Sequence, residues 1–189
     1  TNWPSTYRAA SLRGFGDFLV ALNTVEGSTN FPNRVRFSNL VTANSIPDSW
    51  DETDTTKSAG TNDLVEMKTA IVDGAVLGSN SVIYSSETIF LMEFVGGAFI
   101  FNFRKLFTDA GLINQNCVVE VEGKHYCFGP ADIYVHDGTT KQSICDERVK
   151  NFIYQGLNNA RSNVCFVQHN TNLNEIYFCY SSADDNVTF

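Results

Sequence analysis

A chain of 189 residues that is 43% hydrophobic and 13% aromatic carries enough apolar surface to bury a core, which excludes a disordered tail. Its longest apolar runs, near residues 18–22 and 99–101, fall far short of a bilayer span. Twenty-one acidic against 13 basic residues give a net charge of −8, and no basic cluster exceeds two neighbours such as Arg104-Lys105. That balance argues against a protein that grips DNA or RNA, because phosphate neutralisation supplies most of such affinity.

The first apolar segment, Asp17-Phe18-Leu19-Val20-Ala21-Leu22, is followed after a loop by Arg34-Val35-Arg36-Phe37, and the pair reads as two strands. A polar stretch over residues 41–63 comes next, with Trp50 at its centre and Asp48, Asp51, Glu52, Asp54 and Asp63 facing a single Lys57. A solvated loop is the plain reading. Asp48, Trp50, Asp51, Glu52 and Asp54 are the candidate partner-contact residues, with Trp50 as anchor. The acids lack the spacing of a calcium loop.

Further along, Val82-Ile83-Tyr84 precedes Ile89-Phe90-Leu91, and His125-Tyr126-Cys127-Phe128 precedes Ile133-Tyr134-Val135. Val164-Cys165-Phe166-Val167 then precedes Glu175-Ile176-Tyr177-Phe178. Ile89, Ile133 and Ile176 open the second strands at separations of 44 and 43 residues, and Val35 lies 54 residues before Ile89. Val119, Glu120, Val121 and Glu122 alternate as a strand with one wet face, and Gly123-Lys124 and Asp137-Gly138 read as hairpin turns. After Asp146-Glu147, the spacing of Val149, Phe152, Ile153 and Leu157 predicts one short amphipathic helix over residues 146–157.

Hairpins recurring every 40 to 50 residues are the pattern of β-propeller blades, since one small twisted sheet cannot bury both faces without neighbours. The expected fold is therefore all-β, with propeller-like blades of short antiparallel strands near residues 12–40, 64–95, 99–144 and 145–182. Four partial blades, a first residue other than Met and an apparent strand at Asn186-Val187-Thr188-Phe189 lead us to expect a piece of a longer polypeptide.

No catalytic constellation emerges. The sequence has no Gly-x-Ser-x-Gly elbow, no phosphate loop and no His-Glu-x-x-His helix, and His136-Asp137-Gly138 reads as a strand entering a type I′ turn. The five cysteines, Cys117, Cys127, Cys145, Cys165 and Cys179, form no Cys-x-x-Cys pair and read as small buried hydrophobes of a reducing compartment. His125 and Cys127 share a strand face with His136 on the next strand, a weak metal pattern, and we assign no metal or cofactor.

Several stretches resemble the tail tube B, or tail nozzle, proteins of short-tailed bacteriophages. They include Leu12-Arg13-Gly14-Phe15-Gly16-Asp17, Phe31-Pro32-Asn33-Arg34-Val35-Arg36-Phe37 and Pro47-Asp48-Ser49-Trp50-Asp51. Ile71-Val72-Asp73-Gly74, Val95-Gly96-Gly97, Phe99-Ile100-Phe101-Asn102-Phe103-Arg104 and Asn116-Cys117-Val118-Val119-Glu120 add to them. Gly123-Lys124-His125-Tyr126, Asp132-Ile133-Tyr134-Val135-His136-Asp137-Gly138 and Asp146-Glu147-Arg148-Val149-Lys150-Asn151-Phe152-Ile153 complete the set. The resemblance runs from about residue 12 to residue 180 and consists of turns and core strands, so it carries no gate or fibre-contact residue.

It implies a non-enzymatic structural subunit, much longer than this chain, with a propeller in each copy. About six copies would ring the tail axis, against the adaptor ring and the tail fibres. The ring would be assembled in the host cytoplasm and carried in the virion, where its channel holds back the double-stranded DNA and conducts it during ejection. Acids within residues 48–63, or Glu120 and Glu122, would then face the channel or a neighbouring subunit, where negative charge repels phosphate. The alternative is a stand-alone propeller binding module for a glycan or protein partner, with Trp50, Tyr134 and Tyr177 as stacking platforms.

Overall fold

Strands that alternate apolar and polar residues, separated by short polar turns, pair most cheaply with the strand just made, and this chain does so repeatedly. The computed structural model describes residues 3–97 and 99–183. Strands β1 (Tyr7–Phe15), β2 (Phe18–Glu26), β3 (Thr29–Phe37) and β4 (Gly60–Asp63) form the first antiparallel sheet, in chain order. The second holds β5 (Ile71–Leu77), β6 (Asn80–Ser85), β7 (Thr88–Phe94) and β8 (Phe101–Thr108). The third holds β9 (Val118–Val121), β10 (Lys124–Phe128), β11 (Ile133–His136) and β12 (Lys141–Ser143). A two-stranded sheet of β13 (Phe166–Asn170) and β14 (Glu175–Cys179) follows helix α1 (Glu147–Gly156) and a 3-10 stretch, Asn159–Val164. The described chain is thus mostly β, in four small antiparallel sheets. No described helix is long and apolar enough to cross a membrane.

The repeat marks three sheets in the same phase: Val35 lies in β3, Ile89 in β7 and Ile133 in β11, each the third strand of its sheet. Ile176 lies in β14, a second strand, so the last copy is one strand out of step and Tyr177 is not the equivalent of Tyr134. Any neighbouring pair in a meander produces the same hairpin pattern, so periodicity alone cannot number the strands. Likewise residues 101–108, which we expected to open the third repeat, close the second sheet as β8.

The second sheet is buried on both faces. Val82, Tyr84, Ile89 and Leu91 pack into a core shared with the third and fourth sheets, whereas Ile71, Ile83, Phe90 and Met92 pack into a core shared with the first. This is why residues 82–84 and 89–91 are continuous apolar runs rather than alternating ones. Each such side chain contributes roughly 1.5–3 kcal/mol on burial.

The first strands of successive sheets lie side by side: β1 packs against β5, β5 against β9, and β9 against β13. Backbone bonding ties this row together, since the Val167 N–H donates to the Asn116 carbonyl at 2.8 Å.

Two turns differ from expectation. The β9–β10 reversal uses Glu122 and Gly123, with φ of 52° and 76°, so Lys124 is already in β10 and Glu122 is in the turn rather than the strand. After His136 the chain makes a four-residue loop, not a type I′ turn. The Asp137 carboxylate accepts from the Thr139 and Thr140 N–H groups at 2.8 and 2.7 Å, and these bonds hold Asp137 down to a pKa of about 2.

Helix α1 occurs where the spacing places it, with the Asp146 carboxylate capping the Val149 N–H at 2.8 Å. Its inward face is Ile153, Tyr154 and the following Leu157, while Val149 and Phe152 stay exposed. Tyr154 turns inward because its hydroxyl donates to the Gly129 carbonyl at 2.7 Å.

Candidate functional site

The segment between β3 and β4 is the only long excursion within the first sheet, and buried charge holds it in place. Arg36 projects from β3 with only 4% of its surface exposed, so it must be fully partnered. Its Nε donates to Glu26 Oε1 at 3.0 Å, and its Nη1 donates to the Trp50 carbonyl at 2.7 Å. Glu52 approaches it at 3.6 Å. Arg34, one turn of the pleat away, binds Asp63 through Nε at 2.7 Å and Glu26 through Nη1 at 3.0 Å. Thr24 adds a hydroxyl bond to Glu26 at 3.0 Å. Two guanidinium groups around one carboxylate thus hold the middle of the excursion, at Trp50, and the strand that follows it, at Asp63.

This places the five candidate contact residues. Trp50 is not an exposed anchor: it is 6% exposed, edge-on to Trp3 with ring centroids 4.7 Å apart. The four acids are at the surface. The Lys57 ammonium and the Asn39 amide hold Asp48 below the usual carboxylate range. Asp51 and Asp54 are lowered in the same direction by Thr53 and Thr56, whose hydroxyls and N–H groups donate to them. Glu52 accepts from the Thr61 hydroxyl on β4. The acids therefore stabilise the loop's own turns, and Trp50 seals it onto the sheet.

Three clefts border this loop. The largest, about 820 Å³, lies between its outer part with β4 and the start of β8. An apolar cleft of about 360 Å³ is formed by Trp3, Leu12, Leu19, Ile46 and Trp50, and another of about 410 Å³ surrounds Arg36 and Asp51.

A second polar centre joins the row of first strands. Asp73 of β5 is completely buried, and it accepts from the Ser11 hydroxyl at 2.7 Å and the Asn116 N–H at 2.9 Å. Arg13 of β1 binds it through two nitrogens. Burial pushes the Asp73 carboxyl up, but Arg13, the Asn116 N–H and Ser11 outweigh it and leave it below its ordinary value.

The third centre contains the histidines read from sequence. His125 Nε2 faces the Val76 carbonyl at 2.7 Å, so this nitrogen carries the proton. Its Nδ1, 2.6 Å from Tyr84 Oη, therefore accepts the tyrosine proton. His136 Nε2, 2.7 Å from the same oxygen, must then donate, while its Nδ1 accepts from the Gly138 N–H at 3.2 Å. Every proton has one consistent place, and both rings are neutral. Burial lowers both histidines, His136 to about 3 with the neighbouring His125 contributing. Cys127 lies 3.8 Å from Tyr84 Oη, with burial pushing its thiol up to about 12. The cluster is sealed, uncharged and saturated with hydrogen bonds, which suits inter-sheet locking rather than proton transfer to a substrate. Among the described residues no group of three His, Cys, Asp or Glu side chains is placed to hold a metal ion.

Sequence reasoning did not single out Arg13, Arg36, Tyr84 or Asp73. The signal for Arg36 was visible in retrospect, because Arg34-Val35-Arg36-Phe37 puts charge on one face of a strand with no matching acid nearby in sequence. No protein-family model matches this chain, and no curated protein matches it.

Proposed function

We propose that this chain is part of a nozzle subunit of a short-tailed phage, a non-enzymatic virion protein that lines a path for DNA. The observation that carries the reading is the row of first strands. Successive meanders with their first strands abreast are what blades around an axis would present, and most stretches of the resemblance fall on the turns and strands of these meanders, with residues 47–51 in the β3–β4 excursion and residues 146–153 over helix α1. The net charge of −8 supports a conduit that does not grip its cargo. Glu120 on β9, exposed and within that row, is the acid best placed to face a passing duplex. The terminal sheets support further blades: Leu12 is half-exposed beside the first, and Phe166 and Tyr177 are partly exposed on the fourth. Assembly would take place in the host cytoplasm, with adaptor and fibres as partners.

Negative-stain electron microscopy of the full-length parent protein, or of particles carrying it, tests this. Ring-shaped averages with roughly sixfold symmetry and an open axis are expected. Isolated propellers that stay single on portal-bearing particles would overturn the reading.

A further inference from the structure

The largest of these clefts differs from the other polar centres in carrying partly exposed polar groups with no protein partner among the described residues, and in its chemically distinct walls. From β8 and the turn before it the cleft receives apolar surface, with Phe99 exposed and Ile100 and Phe103 partly so, whereas Phe101 is buried in the core shared with the first sheet. From the first sheet and its excursion it receives Glu52, Asp54 and Asn62. Asn62 pairs with Val35 across β3 and β4, so it shares the strand face that packs toward the second sheet. Its amide makes no hydrogen bond among the described residues, and Asp54 uses only Oδ1 on Thr56. A free amide offers two donors and an acceptor, and a free carboxylate oxygen accepts.

A ligand for this space needs an apolar face on one side and several hydroxyl-like groups on the other. Anions are disfavoured by Glu52 and Asp54, while Lys57 is engaged by Asp48 at 2.6 Å. A purely apolar ligand would strand the amide and carboxylates. A pyranose meets both demands, with C–H groups on its faces and hydroxyls at its edge. The cleft is also within the size range of small-molecule sites. We propose that it is a binding site for a neutral oligosaccharide. Asp54 and Asn62 would take the hydroxyls, and the exposed ring of Phe99 with the partly buried ring of Phe103 would take the C–H face. This does not rest on the conduit reading.

Calorimetric titration of the protein with maltohexaose, cellohexaose, chitohexaose and mannohexaose tests the assignment. A heparin hexasaccharide and a lysine-rich peptide serve as the charged comparisons. Saturable binding of at least one neutral hexasaccharide is expected, weakened roughly tenfold by Asp54→Asn and by Asn62→Ala. Both changes are at accessible positions, and circular dichroism checks that the fold is kept. Phe152→Ser, on α1 outside this cleft, should leave binding unchanged. The inference is overturned if no neutral sugar binds up to about 10 mM, if neither cleft variant weakens binding, or if only heparin or the peptide binds. Rings in the microscope without sugar binding would overturn this site and leave the nozzle reading intact.

Discussion

Arg13 crosses from the first sheet to grip Asp73 of the second, Nε to Oδ1 at 2.8 Å and Nη2 to Oδ2 at 2.6 Å. Arg13 Nη2 also donates to Asn116 Oδ1 at 2.9 Å, and Asn116 in turn accepts from Val167 of the fourth sheet. One buried carboxylate of the second sheet therefore ties in β1 of the first and the segment leading into β9 of the third, and through Asn116 it reaches the fourth.

Asp73→Asn should destabilise the fold by about 2–4 kcal/mol, because it leaves a hydroxyl, an N–H and a guanidinium facing an amide that cannot satisfy them all. The pH dependence has a definite sign. The folded carboxyl lies below its unfolded value, so its contribution is complete above about pH 4 and is lost as pH falls through the lower folded value. Urea denaturation of wild type and variant at pH 7 and pH 3 checks this. The stability gap should narrow in acid, and an unchanged gap would falsify the assignment.

The Tyr84 hydroxyl serves two histidines at once, so Tyr84→Phe orphans His125 Nδ1 and the His136 Nε2–H together. We expect a loss of about 1–3 kcal/mol, with the rings still packed. Both imidazoles have folded values below the ordinary one near ~6.5, so the unfolded chain binds protons first. Stability is complete above that pH and falls as acid is added, by up to ~1.4 kcal/mol per pH unit per histidine, continuing toward about 3 for His136. The Val76 carbonyl and Glu120 raise His125, and Asp137 raises His136, but burial outweighs them, and the His125 ring and Lys141 lower His136 further. The His136 ring-proton shifts in NMR should stay fixed between pH 7 and about pH 5, and those of His125 should move only below the free value; titration of either ring at the free value would refute the locked tautomers.

Thiol chemistry separates the cysteines. Burial pushes both the Cys117 and Cys127 thiols up to about 12, and neither presents surface to solvent. Cys145 and Cys179 are only partly covered. A disulfide-exchange reagent at pH 8 should modify Cys145 or Cys179 in the native protein and leave Cys117 and Cys127 intact until denaturant is added. Mass mapping that finds Cys127 labelled first would contradict the packing around Tyr84.

What was legible in the sequence follows from range. Alternation, helical spacing and turn chemistry are local, so the hairpins at residues 82–91 and 125–135 and the helix at the acidic start Asp146-Glu147 could be read directly. Strand numbering within a sheet is not local, which is why Ile176 was matched to the wrong strand and β8 to the wrong sheet. The polar centres are less local still. Arg13 and Asp73 lie 60 residues apart in sequence, and Tyr84 and His136 lie 52 apart. Trp50 looked like a surface anchor because an acidic loop surrounds it. Its indole is instead buried against Trp3, and its carbonyl is held by an arginine whose role depends on Glu26.

A close backbone approach adds to the link between the second and third sheets. Leu112 donates its N–H to the Ser85 carbonyl at 3.0 Å, and Tyr134 donates its hydroxyl to the Gly111 carbonyl at 2.8 Å. Gly111 is thus clamped between the β6–β7 turn and β11. A Cβ there would lie 2.1 Å from the Ser85 oxygen and 2.4 Å from the Ser86 carbonyl carbon, and both atoms are backbone that cannot rotate away. Gly111→Ala should therefore cost about 3 kcal/mol or more and loosen both hydrogen bonds. At Gly156, in the last turn of α1, an added Cβ meets nothing within 4 Å. Gly156→Ala should be neutral or stabilise by up to about 1 kcal/mol, since helical alanine loses less conformational freedom. Thermal melts of the two variants should move in opposite directions or differ widely. Equal, small shifts would mean that the 109–112 connection does not hold the two sheets together.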